Sequence, residues 1–252
     1  MNPYYLKIAL ILCLTTLTST YADIVFLDLN NNPKEKKAAI QQAKIQGEKI
    51  IVYPKDSSIY NQKRAQEILK EVKPDTLLIS GHNAGANISG KRNESLKFND
   101  FSNFLNANPD VQNSIEVLML IGCNTGSQYV VQKYSSIMPN LRFIPGYDGT
   151  SPFEKWIQGR HYIKDVIKYK DEILAAMSGE EVQSILKNFR HMENMLQAGM
   201  LFKLPCCLGS DPTEHKLYIY RPKRENPTER FKAVDYKECP VKIKDYKRKY
   251  KN

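Results

Sequence analysis

The stretch Val117-Leu118-Met119-Leu120-Ile121-Gly122-Cys123-Asn124-Thr125-Gly126 decides the fold. An uninterrupted apolar run stops at a glycine, a cysteine and a turn. Runs of this kind form strands buried on both faces, in the middle of a parallel sheet. Cys123 then falls at the carboxyl end of the strand, the edge where open α/β sheets hold their ligands. A second block, Thr76-Leu77-Leu78-Ile79-Ser80-Gly81-His82, ends in the same way on an imidazole. As neighbours, the two strands would present a thiol and an imidazole on one edge.

Upstream, Ile24 to Leu29 reads as a first buried strand, broken by Asn30 to Asn32. Pro33 opens a helix to about Gln46, and Gly47 ends it. Lys49 to Pro54 is a second strand, and Ala65, Ile68, Leu69 and Val72 mark a helix within Tyr60–Val72. Downstream of His82, the polar stretch Asn83–Asp100 is long for a connection and predicts a functional or mobile loop. Asn99 or Asp100 caps a short helix carrying Phe101, Phe104 and Leu105. Gly126–Met138 suits a helix, and Leu141–Tyr147 a fifth strand whose end Pro145 makes irregular. This alternation predicts an α/β fold, a mostly parallel sheet with helices on both faces, over residues 23–150. From Ser151 the spacing of Trp156, Ile163, Val166, Ile167 and Ile173 predicts long helices to about Met200. A basic, Pro-rich end follows, with one strand at Lys216–Tyr220, so that 151–252 reads as a helical and irregular extension.

Residues 1–22 read as a signal peptide: Lys7, an apolar run from Ile8 to Leu17, and Thr20-Tyr21-Ala22 as the cleavage site. The expectation is an exported protein, periplasmic or secreted, with no transmembrane segment in the mature chain. Losing the leader removes only Lys7 from the charge count of a chain whose net charge is +10. Much of that charge lies in the tail from Lys242 to Lys251, which suits an anionic surface as partner. Charge alone names no specific nucleic acid. Of the cysteines beyond the leader, Cys206 or Cys207 is placed to pair with Cys239, which leaves Cys123 as a free thiol.

A cysteine nucleophile needs a base, donors for the oxyanion and a rigid mount. His82 and Cys123 meet the first and third needs. Gly81, Gly122 and Gly126 let the backbone approach a substrate carbonyl, with the N–H of Cys123 and one near Asn83–Gly85 as donors. A helix starting near Thr125 would point its positive end at the thiolate. Asp148, in Gly146-Tyr147-Asp148-Gly149, lies at the same edge, where its carboxylate would suit a basic substrate side chain. It also suits a plain Asp-Gly turn. Neither a metal nor an organic cofactor is needed. Gly85-Ala86-Asn87-Ile88-Ser89-Gly90-Lys91-Arg92 nearly spells a phosphate loop, but Arg92 stands where magnesium needs Ser or Thr.

Apolar blocks ending in Ser80-Gly81-His82 and, some forty residues later, Gly122-Cys123-Asn124-Thr125-Gly126 resemble the caspase-like cysteine peptidases. The second block is most similar to the CHAT branch, and more distantly to separase and the clostripain–gingipain relatives. The matches cover about Leu77–Gly85 and Val117–Gly126. The family often has Gly after the histidine; here it is Asn83. The resemblance implies a three-layer caspase-haemoglobinase fold, a His82–Cys123 dyad and a polypeptide substrate cleaved after a particular side chain. Two rivals stand beside an endopeptidase: a binding protein of the same fold that has lost turnover, and an acyltransferase or amidase on the same dyad.

Overall fold

Asn32 and Gly47 bound the first helix for local reasons. Asn32 Oδ1 accepts the N–H groups of Lys34 (3.1 Å) and Glu35 (3.4 Å), and Gly47 leaves the helix at φ 75°. The computed structural model describes residues 24–55, 59–90, 94–147, 151, 157–176, 178–190, 198–203, 217–220 and 231–235. The leader, Lys91, Arg92, Asp148, Cys206, Cys207, Cys239 and the basic tail lie outside them. No helix among the described residues is long and apolar enough to cross a membrane.

The chain runs β1 (Ile24–Asp28), α1 (Pro33–Gln46), β2 (Ile50–Tyr53), α2 (Gln62–Val72) and β3 (Thr76–Ser80). Three short strands follow: β4 (His82–Ala84), β5 (Asn87–Ser89) and β6 (Ser95–Leu96). Then come α3 (Phe98–Asn106), α4 (Pro109–Ser114), β7 (Val117–Ile121), α5 (Gln128–Ser136) and β8 (Phe143–Tyr147). The last elements are α6 (Ile157–Ala175), α7 (Gly179–Leu186), β9 (Ala198–Lys203), β10 (Leu217–Tyr220) and β11 (Phe231–Asp235).

Strands pair in the order β11-β10-β9-β8-β7-β3-β1-β2. The five from β8 to β2 are parallel, and β9 to β11 extend the sheet antiparallel. Alternation along each strand divides the core into two layers. Val25, Leu27, Leu77, Ile79, Leu118, Leu120 and Ile144 face the aromatic and aliphatic stripes of α2 to α5. Ile24, Phe26, Leu78, Val117, Met119 and Phe143 face Ala39 and Ala43 of α1, Ile163 and Val166 of α6, and Val182 of α7. This is a three-layer α/β arrangement, with β1, β3, β7 and β8 buried on both faces and the edge strand β2 partly open.

Two expectations need correction. Residues 198–203, 217–220 and 231–235 add three strands to the sheet, of which only β10 matches an expected strand; the expected helices of this part are α6 and α7. Ala198-Gly199-Met200-Leu201-Phe202-Lys203 contains no β-branched residue, so its own preference for a strand is weak, and pairing along the open edge of β8 decides. The polar stretch after His82 is likewise not a bare loop but a small antiparallel sheet, β4-β5-β6. Its anchors are few: Ala86, Ile88 and Leu96 are buried in the core. Tyr134 OH donates to Ala86 O (2.9 Å), and Asn87 Oδ1 accepts the N–H of Phe98 (2.9 Å). Asn87 thus supplies the acceptor at the start of α3, where Asn99 or Asp100 was expected to cap.

Candidate active site

The site is set by the register of β3 against β7. The pair runs from Thr76↔Val117 to Ser80↔Ile121, and Gly81 N–H then donates to Ile121 O (3.0 Å). A Cβ on Gly122 would stand 2.3 Å from Gly81 O, and one on Gly81 would stand 2.3 Å from Ile88 Cγ2. Both glycines serve close approach, with the β4–β5 hairpin pressed over the first. One residue further along each chain stand His82 and Cys123. They share a rim.

Beyond that point the chains part. His82 begins β4, opposite Ser89, and its side chain is exposed. Asn83, opposite Ile88, is half-buried, and its Oδ1 has no partner among the described residues. Cys123 is a free, half-buried thiol. Its Sγ accepts the N–H of Ser151 (3.4 Å) and lies 3.6 Å from Ser151 Oγ. Ser151 is a site residue that sequence reasoning missed. It lies 28 positions from Cys123 and carries no local signal.

The expected helix near Thr125 begins instead at Gln128, behind Ser127. Asn124 takes a left-handed conformation (φ 57°), which Asn tolerates better than most residues, and the chain makes a turn first. The helix N-terminus is therefore more than a turn from the sulfur along the chain, and a dipole effect fades within the first turn. The N–H groups of Cys123 and Asn124 donate to no backbone carbonyl among the described residues.

Next to this rim lies the crevice between β1 and β3, where the strand order reverses. Asp28 Oδ2 there accepts the N–H of Asn32 (2.6 Å) and stands 3.8 Å from Lys36 Nζ. Burial raises the Asp28 carboxyl to about 6, against the opposing pull of the Asn32 hydrogen bond and of Lys36. Ser80 Oγ donates to Glu35 Oε2 (2.6 Å) and accepts from Asn30 Nδ2 (3.4 Å). A polar residue closing an apolar strand, as Asp28 and Ser80 both do, was the available sign of this cluster.

No protein-family model matches the chain, and a search of curated proteins finds no match.

The glycine contact makes a direct prediction. In Gly122→Ala the new methyl meets backbone, not a side chain that can swing away, so β3 and β7 must separate at the rim. The expected loss is about 1–3 kcal/mol of stability. An unchanged urea midpoint would show that the two chains do not approach as described.

Proposed function

We propose that the protein is an exported cysteine endopeptidase of the caspase-like class. The observation that carries this reading is the abutment of Gly81 and Gly122, with His82 and Cys123 the next residue on each chain. In the proposed cycle Cys123 Sγ attacks the scissile carbonyl carbon as its proton passes to His82. The N–H groups of Cys123 and Asn124 hold the oxyanion. Collapse expels the amine, which takes the proton from His82 and leaves a thioester on Cys123. Water, deprotonated by His82, then releases the acid.

The test is labelling of the folded, reduced protein with a peptidyl acyloxymethyl ketone. Thioether formation at Cys123, with loss of the carboxylate leaving group, is expected, and Cys123→Ala should show none. A wild-type protein that stays unmodified at Cys123 under conditions that label other cysteine peptidases overturns the reading.

The second reading, a binding protein of this fold without turnover, is favoured by the contact of the thiol with Ser151. The basic tail would then serve an anionic surface. Cys123→Ser separates the two: an endopeptidase loses its activity, and a binder keeps its partner.

A further inference from the structure

We infer that Thr125 is the positioning residue of the nucleophile turn, an inference that rests on the cysteine-peptidase reading for its catalytic part. Thr125 is 1 % exposed, so its hydroxyl does not work through solvent. Its single hydrogen is shared between the carbonyls of Leu120 (2.9 Å) and Gly122 (2.8 Å). Its oxygen accepts the N–H of Tyr147 (3.1 Å), the last residue of β8. The neighbouring Gly126 N–H donates in turn to Tyr147 O (2.8 Å). Tyr147 is therefore held through both its N–H and its carbonyl by the turn that carries Cys123.

This link stands in for a missing ladder. β3 and β7 pair over five positions, whereas β7 and β8 pair at Val117↔Phe143 alone among the described residues, far from the rim. β8 also contains Pro145, which has no N–H to donate. At the rim, the Thr125 hydroxyl and the Gly126 N–H supply the bonds between the two chains. The backbones are pressed close enough there that a Cβ on Gly146 would stand 2.6 Å from Gly126 N and 2.7 Å from Thr125 C.

The consequence falls on the proposed oxyanion donor and on Ser151, which contacts the sulfur. Through Gly122 O, the hydroxyl fixes the residue before Cys123 and so the direction of the Cys123 N–H. Through Tyr147, it fixes the start of the chain that returns Ser151 to the sulfur. Thr125 touches no reacting atom. It positions the Cys123 N–H, which does.

The experiment compares Thr125→Val, Thr125→Ala and Thr125→Ser in the full chain by two independent measurements. Amide exchange at Tyr147 should accelerate about tenfold in the valine and alanine variants and stay near wild type in the serine variant. Exchange in β1 and β3 is the folding control. Inactivation by the acyloxymethyl ketone should slow on the order of tenfold to a hundredfold in Val and Ala. Alkylation by iodoacetamide, which needs the sulfur but no oxyanion donor, should change by less than about threefold, with serine restoring the ketone rate. Unchanged Tyr147 exchange in Val and Ala overturns the clamp. Faster exchange with an unchanged ketone rate overturns the positioning role and leaves a structural threonine. A wild-type protein inert to the ketone, with exchange accelerated in Val and Ala, overturns the peptidase reading while the clamp stands.

Discussion

His82→Ala will slow acylation of Cys123 by a peptidyl acyloxymethyl ketone by about two to four orders of magnitude while leaving the fold intact. That range is the usual contribution of a positioned general base. The stability half of the expectation follows from place. The His82 side chain is exposed, and substitutions at such sites usually shift stability by no more than about 0.5 kcal/mol. A melting temperature within about 2 °C of wild type is therefore expected. The imidazole makes no hydrogen bond to Sγ in this structure, where Sγ is bonded to Ser151. Catalytic hydrogen bonds are often long or misaligned without substrate and tighten in the complex. Alkylation by iodoacetamide separates a lost base from a blocked sulfur, because a blocked thiol slows with both reagents. A His82→Ala protein that reacts with the ketone at the wild-type rate removes His82 from the dyad.

How much of this was legible follows from where each element gets its specificity. β1, β3 and β7 are readable because a strand covered on both faces must be apolar throughout, and their residues are buried without exception. Helix α1 was readable because Asn32, Pro33 and Gly47 act on their own backbone. The rim position of His82 and Cys123 followed from those two strands. β4 to β6 did not, since only isolated residues such as Ile88 and Leu96 reach the core, between Asn, Ser and Gly that signal turns. β10 was readable in Lys216–Tyr220, whereas β9 and β11 escaped because edge pairing, which lies outside the local sequence, decides them. Thr125 was misread as the start of a helix, although its hydroxyl binds two strands, and Ser151 meets the thiol only through the tertiary fold. Local signals mark the mount of the site, and long-range contacts complete it.

The second large effect lies at the opposite edge of the sheet. Lys170→Met should cost about 3–5 kcal/mol at pH 8, the usual penalty for removing one partner of a buried ion pair. Lys170 Nζ on α6 lies 3.0 Å from Glu48 Oε1, 3.0 Å from Asp171 Oδ1 and 3.8 Å from Asp75 Oδ2. The Lys170 and Glu48 side chains are only 6 % and 11 % exposed, so water does little to compensate. Burial pulls the Lys170 ammonium down, but Asp75, Glu48 and Asp171 outweigh it and hold the group charged. Three carboxylates share one cation, and the poorly hydrated Glu48 gives way: burial raises it to about 7 from 4.5, although Lys170 opposes the shift. The sign follows. A carboxyl raised on folding stabilises most below its unfolded value, near 4.5, and that contribution is lost as pH rises through about 7. Without Lys170 the Glu48 value climbs further, so the variant is hurt most where Glu48 must be ionised and least near pH 5, where it carries a proton. A fall in melting temperature on the order of 10 °C is expected at pH 8, and a clearly smaller one at pH 5. Glu48→Gln added to Lys170→Met should recover much of the loss at pH 8, since the two groups touch and their effects will not add. Equal losses at both pH values, or no recovery in the double variant, would mean that Glu48 does not carry the unpaired charge. Reactivity of Cys123 in folded Lys170→Met should stay at the wild-type level, because Glu48 and Asp75 precede β2 and β3 while the thiol follows β7.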